Sequence, residues 1–247
     1  GGQIYISLKL NIKNASNVLH TAILTKVPVL FRSCCLIGKN LKGVEGSCLY
    51  FQNDFYPVDS HLTNMVEIDG KTYITDVSYG VSCQLWYPLE MISGKDQPQP
   101  PGVFRLLNNG MIWVLEKTSR KQVVKDKANA NSSLIDRRLV KTMYCFPLTP
   151  RNKEHFVETL DCLQTSPDSR FVLKSICSLQ TPNGFRALIG WTYSEITYNP
   201  EEDSDMVDMK EIPDSEIEAV LKEKFNVVLV NKLTPKNKKA NYCIITI

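Results

Sequence analysis

The stretch FYPVDSHLTNMVEIDGKTYITDVSYGVSC, residues 55–83, decides how the rest of the chain is read. Two segments of strand character, residues 61–68 and 71–77, flank Asp69-Gly70, the dipeptide that favours a two-residue type I′ hairpin turn. With that turn, positions whose numbers sum to 139 face each other, so Asp76 lies opposite Thr63 and Ser78 opposite His61. Residues two apart share a face of a strand, which makes His61 and Asp76 diagonal neighbours roughly 7–8 Å apart before their side chains lean together. A slip of one residue would send the two to opposite faces, so the pairing stands or falls with the register.

A histidine beside an aspartate is the pair that activates a nucleophile. The carboxylate selects the imidazole tautomer and stabilises the imidazolium, while the second ring nitrogen takes a proton from a serine or cysteine. A half-exposed hairpin can also carry such a pair incidentally. Longer segments decide between the two: HLTNMVEIDGKTYITD at 61–76, WYPLEMISGKDQPQ at 86–99, TSPDSRF at 165–171, SICSLQTPNGFRALIGW at 175–191, and a chain ending in Thr-Ile.

On these segments the chain resembles the vertebrate type of arylamine N-acetyltransferase, from about residue 29 to residue 247. The resemblance implies a multidomain α/β protein of papain-like Cys-His-Asp architecture. Its parts are a partial N-terminal helical domain at 1–43, a central β-barrel carrying His61 and Asp76 at 44–145, and a C-terminal α/β lid with its tail at 146–247. It implies a cytoplasmic, monomeric enzyme that moves an acetyl group from acetyl-CoA to an arylamine, hydrazine or N-hydroxyarylamine through an acetyl-cysteine, by ping-pong kinetics and without a metal. His61 matches the catalytic histidine and Asp76 the catalytic aspartate. Ser60, His61, Tyr79, Val81 and Cys83 match acceptor-pocket positions, with residues 78–83 as the loop that shapes acceptor selectivity. Pro57, Val58, Cys162, Asp168 and Ile244 fall at positions that contact CoA in the family.

The match fails at the nucleophile. Family members carry it in an Arg-Gly-Gly-Trp-Cys motif opening a helix, where the helix N-terminus and the imidazole lower its pKa. That motif does not occur here, and aligning VLFRSCCLIGKN, residues 29–40, with the helix that follows it places Ile23 near the cysteine position. Cys34 and Cys35 would stand more than about 15 Å down that helix. Cys48 precedes the hairpin and Cys83 follows it, which makes Cys83 the better substitute. The donor contacts depart as well: Pro57 and Val58 stand for a Thr-Gly pair, Cys162 and Asp168 for tyrosine and threonine, and Ile244 for serine. A carboxylate at Asp168 would repel a phosphate at close range. These departures leave a second reading, a non-catalytic relative or fragment that binds a ligand or partner.

Composition is that of an ordinary globular protein: 247 residues, 43% hydrophobic and 22% charged, with a net charge of +3. So small a charge argues for neither nucleic acid nor a membrane surface. Eight cysteines without C-x-x-C spacing suit free thiols in a reducing compartment. No apolar run reaches the length of a membrane span. Residues 1–28 lack an initiating methionine and read as aberrant or truncated, with residues 3–12 alternating like a strand where the family is helical.

Periodicity predicts strands at 103–115, turned at Asn108-Asn109-Gly110, and at 122–124, 143–148, 171–179, 184–192 and 209–212. Helices are predicted at 29–43, 150–163 and 216–225, the last with Lys222 and Lys224 near its C-terminus. Trp86, Tyr87 and Leu89 read as packing residues. Residues 117–121 read as a basic loop, 201–205 as a solvated acidic turn, and the lysines of 232–239 as mostly a solvated tail.

Overall fold

The computed structural model describes residues 3–7, 45–47, 62–76, 84–132, 135, 137–148, 157–229 and 232–238. Among them the strands are β1 (Gln3–Ser7), β2 (Glu45–Ser47), β3 (Leu62–Ile68), β4 (Lys71–Thr75), β5 (Leu89–Glu90), β6 (Asp96–Gln99), β7 (Gly102–Asn108), β8 (Trp113–Thr118), β9 (Lys121–Val124), β10 (Val140–Phe146), β11 (Ile176–Thr181), β12 (Gly184–Ile189), β13 (Thr192–Asn199) and β14 (Ser204–Glu211). The helices are α1 (Val157–Thr165), α2 (Arg170–Leu173) and α3 (Ile217–Phe225). The predicted helix at 29–43 lies outside the described residues, as does the start of the one predicted at 150–163.

The β3–β4 hairpin has the expected register. Asn64 pairs with Thr75, Met65 with Ile74, Val66 with Tyr73, Glu67 with Thr72 and Ile68 with Lys71. Asp69 and Gly70 both have positive φ, 51° and 74°, which a type I′ turn requires at its two central positions. The hairpin sits inside the sheet β2-β3-β4-β5, and a second four-stranded sheet runs β10-β8-β7-β6. The two share one core, in which Ile74, Leu85 and Leu89 meet Phe104, Leu106, Leu115, Met143, Tyr144 and Phe146, with Met65 packed at its margin.

The third sheet is six-stranded, in the order β1-β11-β12-β13-β14-β9. Its pairs are antiparallel apart from β14 with β9. Helix α3 covers one face: Ile217, Leu221 and Phe225, spaced by four, pack on Cys177, Leu188 and Tyr193. The other face carries Ile176, Phe185, Ala187 and Ile189, with Val207, Met209 and Ile135 farther along. A helix laid on one face of a largely antiparallel sheet gives this part of the chain one core made of both helix and strand. β1 forms where the alternation predicted a strand, and both outer strands come from earlier in the chain, β1 beside β11 and β9 beside β14.

Several local readings change. Residues 171–173 belong to α2, because the Ser169 hydroxyl accepts from the Phe171 N–H at 3.3 Å and the Ser169 carbonyl accepts from Val172 and Leu173, both at 2.9 Å. The strand therefore starts at Ile176. The acidic run divides between a 3₁₀ turn at Pro200–Glu202 and the start of β14, which is longer than the predicted 209–212. Along β14, Asp205, Val207 and Met209 are buried, while Met206 and Asp208 face out. Lys117 is a buried residue of β8 rather than part of a basic loop. Leu89 is core, but Tyr87 is 61% exposed. The main chain of 232–238 is docked: Lys236 donates to the Ser175 hydroxyl at 3.1 Å and accepts from the Ser175 N–H at 2.9 Å, and Lys238 donates to the Leu173 carbonyl at 3.1 Å. Leu233 is buried against α3's cluster, so apolar contact, not charge, decides where this segment runs.

Candidate active site

Asp76 follows β4 directly and is 3% exposed. The 139 register carries one position beyond its last ladder pair to Thr63 and Asp76, on the face of the hairpin that also holds Met65 and Ile74. That face turns into the shared core, since Ile74 is 1% exposed and Met65 packs beside it. Threonine hydroxyls tie this end of the hairpin together. Thr63 Oγ1 donates to the Thr75 carbonyl at 3.1 Å, and Thr75 Oγ1 donates to the Asn64 carbonyl at 3.4 Å. The strand end that precedes the aspartate is thus fixed by pairing and by two side-chain bonds, and the aspartate itself is buried. A buried carboxylate needs donors around it.

The other expected site residues fall less fully into view. Ser60, His61, Tyr79, Val81, Cys83, Pro57, Val58 and Ile244 lie outside the described residues. Cys162 belongs to α1. Asp168 is half-buried in the turn between α1 and α2, its N–H donating to the Ser166 hydroxyl at 3.4 Å. Of the cysteines among the described residues, Cys145 and Cys177 are buried, and burial pushes the Cys177 thiol up to about 12, too high for a thiolate nucleophile at neutral pH. Among the described residues there is no group of three or more His, Cys, Asp or Glu placed to hold a metal ion.

The segment that follows residues 77–83 has an unusual support. Pro88 has no N–H to give to a ladder, and much of the main chain from 84 to 90 bonds to glutamine side chains instead. Gln99 Oε1 accepts from the N–H groups of Trp86 at 2.7 Å and Tyr87 at 3.1 Å, and its Nε2 donates to the Tyr87 carbonyl at 2.9 Å. Gln97 treats Glu90 in the same way, accepting at 2.8 Å and donating at 3.0 Å. Gln180 of β11 donates to the Gln84 carbonyl at 2.9 Å. The Glu90 carboxyl is held below its usual range, chiefly by the bonded Lys95 ammonium against some desolvation, with Lys71 of β4 adding to it.

These glutamines were not singled out in the sequence. Nothing in their spacing marks them, apart from the alternation of Gln97 and Gln99 around Pro98 on one edge strand. The buried pair of Arg120 and Asp205 was missed for the opposite reason, since each stands in a charged run that reads as solvated surface.

A profile of the N-acetyltransferase family matches residues 36–234. The pineal gland isozyme NAT-10 of Gallus gallus, an arylamine N-acetyltransferase, is 48% identical over 193 residues, which are 78% of this chain and 67% of the relative. This chain belongs to the arylamine N-acetyltransferase family. It spans 61% to 70% of the length of the curated vertebrate arylamine N-acetyltransferases it matches. In structure it is similar to the arylamine N-acetyltransferase of Salmonella typhimurium, with a TM-score of 0.68 at 19% identity, over 91% of this chain and 79% of that one. It is also similar to the arylamine N-acetyltransferase of Mycobacterium marinum in complex with CoA, with a TM-score of 0.62 at 16% identity, over 81% and 66% of the two chains. Likeness at such low identity concerns the fold, so the bacterial enzymes support the arylamine N-acetyltransferase architecture, while family membership rests on the vertebrate sequences.

Proposed function

We propose that this chain is built to transfer an acetyl group from acetyl-CoA to a small arylamine, hydrazine or N-hydroxyarylamine, with His61 as the base and Asp76 as its orienting carboxylate. The observation that supports the reading is the register of the β3–β4 hairpin together with the burial of Asp76 at the end of β4, the aspartate that the sequence pairs with His61. In this chemistry His61 takes a proton from a thiol, and the thiolate attacks the acetyl carbonyl. The carbon–sulfur bond to CoA breaks and CoA leaves as its thiol. The amine then attacks the acetyl-cysteine, giving up a proton through the same imidazole and releasing the cysteine sulfur. Asp76 holds the imidazole in the tautomer both steps require. Family membership and the CoA complex of the M. marinum relative support acetyl-CoA as donor.

The architecture we infer is a remnant of a helical unit at 1–43, a β-barrel at 44–145 and an α/β lid at 146–247, acting as a cytoplasmic monomer. The single core shared by the two four-stranded sheets supports the barrel, and the helix-covered six-stranded sheet supports the lid. We place acceptor contacts at Ser60, His61, Tyr79, Val81 and Cys83. Donor contacts are placed at Pro57, Val58, Cys162, Asp168 and Ile244, where side chains unlike the family's make for a weakened nucleotide end.

A second reading has one specific observation behind it. Ile23 stands near the position of the family's cysteine and has no thiol to acetylate. On that reading the chain binds a ligand without turnover. Intact-mass analysis of the full chain after incubation with acetyl-CoA, followed by an arylamine acetylation assay, separates the two. A covalent acetyl adduct that arylamine removes establishes catalysis, and peptide mapping then names the cysteine. A folded protein that gives neither adduct nor product is the non-catalytic relative.

A further inference from the structure

Asn109-Gly110, in the connection from β7 to β8, is one of two Asn-Gly pairs in the chain, the other being Asn183-Gly184. In such a pair the glycine nitrogen can close on the asparagine side chain, because glycine has no Cβ to restrict its main chain. Residues 108–111 are all exposed, and three contacts among them and Ile112 bear on that reaction. Asn109 Oδ1 accepts from the N–H groups of Met111 at 3.2 Å and Ile112 at 2.9 Å, two main-chain donors on the oxygen that gains negative charge when its carbon is attacked. The attacking nitrogen has an acceptor of its own, since the Gly110 N–H donates to Asn108 Oδ1 at 2.6 Å. Gly110 has φ 95°, and a Cβ added there meets nothing within 4 Å, so its main chain has room to turn toward the side chain. Asn183-Gly184 lacks that room. Gly184 is paired with Thr181 on one side and Thr197 on the other, an added Cβ would lie 2.2 Å from the Ile196 carbonyl oxygen, and the Asn183 carbonyl accepts from the Tyr198 N–H at 3.0 Å.

We propose that Asn109 is a site of spontaneous covalent modification, at which the folded turn itself promotes loss of the side-chain amide. The Gly110 nitrogen bonds to the Asn109 side-chain carbonyl carbon, the bond from that carbon to the side-chain nitrogen breaks, and ammonia leaves with the proton that Gly110 gives up through solvent. Water then opens the cyclic imide at either carbonyl, giving aspartate or isoaspartate. Aspartate keeps an oxygen for the Met111 and Ile112 donors and adds a charge that strengthens both bonds. Isoaspartate puts an extra carbon into the main chain at the turn that sets the pairing of Asn108 with Trp113 and of Val103 with Thr118. Phe104, Leu106 and Leu115 of that hairpin are core, so the isoaspartyl product loosens a central sheet as the protein ages. None of these steps involves the acetyl-transfer chemistry.

The test holds the full chain at neutral pH, folded and in parallel unfolded in guanidinium chloride, and follows both asparagines over time by peptide mass spectrometry. Asn109 should convert about threefold to tenfold faster in the folded chain than in the unfolded one, the effect of one added hydrogen bond, whereas Asn183 should convert more slowly when folded. Asn108→Ala, which removes the acceptor on Gly110, should slow conversion of Asn109 in the folded chain by about threefold and leave Asn183 as it was. Ageing the folded chain should also lower its thermal midpoint, and an Asn109→Gln chain aged alongside, which has no side chain of the length that closes the ring, should keep its own. A folded rate at Asn109 equal to or below the unfolded rate overturns the proposal, as does an unchanged rate in Asn108→Ala. A midpoint that falls as far in aged Asn109→Gln as in the unsubstituted chain overturns the loosening of the hairpin.

Discussion

At the scale of single residues, the distinction that matters is between buried groups that are held for chemistry and buried groups that are inert. On the proposed mechanism Asp76 is of the first kind, a carboxylate at the end of a strand on the face that enters the core. Asp76→Asn keeps the shape and removes the charge that, on that mechanism, selects the histidine tautomer. Acetylation of an arylamine by the full chain should fall at least about a hundredfold, with the thermal midpoint little changed; an unaltered rate removes Asp76 from the mechanism. Cys177 is of the second kind. Its folded-state pKa is raised from about 9 to about 12 by burial, so its contribution to stability is complete below pH 9 and is lost as pH rises toward 12, because only the unfolded chain releases the proton over that range. Tyr193 in the same cluster is shifted upward too, first by burial and then by its bond to Glu195. Denaturant melts should show the stability gap between the unsubstituted chain and Cys177→Ala narrowing between pH 9 and pH 11. A gap independent of pH would contradict the assignment.

At the scale of elements, two turns show how backbone geometry and crowding separate. Gly70 has φ 74°, and a Cβ added there meets nothing within 4 Å. Gly70→Ala should therefore cost only the strain of a positive φ, about 1 kcal/mol. Gly184 opens β12 where it pairs with Thr197, and an added Cβ would lie 2.2 Å from the Ile196 carbonyl oxygen, a main-chain atom that cannot swing aside. Gly184→Ala should be the more destabilising of the two by urea denaturation, by about 2 kcal/mol or more, in the range of overpacking. In α3, Leu221 is fully buried against the sheet, and Leu221→Ala should lower stability by about 2–5 kcal/mol in the same assay.

At the scale of the whole molecule, the question is what joins the central sheets to the six-stranded one. The chain leaves β8 at Thr118 and begins β9 at Lys121, passing between sheets through Ser119 and Arg120. Arg120 Nε donates to Asp205 Oδ1 of β14 at 2.6 Å, a second guanidinium nitrogen donates to the Pro100 carbonyl at 2.7 Å, and the guanidinium lies 5.1 Å from the centre of the Tyr198 ring. The ion pair is largely buried, with side chains 11% and 6% exposed. The polar cavity beside it, lined in part by Lys117, Ser119 and Asp205, has room for about 10 Å³, enough for one water. Arg120→Met alone strands a carboxylate in this setting and should cost about 3–5 kcal/mol, whereas Arg120→Met with Asp205→Leu should recover most of that loss. A double variant as unstable as the single one would mean the pair contributes far more than its own desolvation cost.

The amino-acid sequence by itself determined the elements whose causes are local. Asp69-Gly70 between two alternating segments specifies the turn, the turn specifies the register, and the register sets Asp76 opposite Thr63 on the core face. The carboxylates before α3 and the lysines in its last turn marked that helix for the same reason. Family segments carried the membership. Tertiary structure alone decided which polar residues are buried, because a glutamine, a lysine or an aspartate in a polar run looks the same whether its partner is water or a group far along the chain. Asp205 enters the interior because β14 alternates and Arg120 meets it there; Gln180 enters because Gln84 arrives without a ladder to join; and residues 232–238 are docked because Leu233 packs against α3's cluster while Ser175 and Leu173 bond their main chain. Burial of a polar group is settled by the distant group that satisfies it, and short-range spacing carries no record of that group.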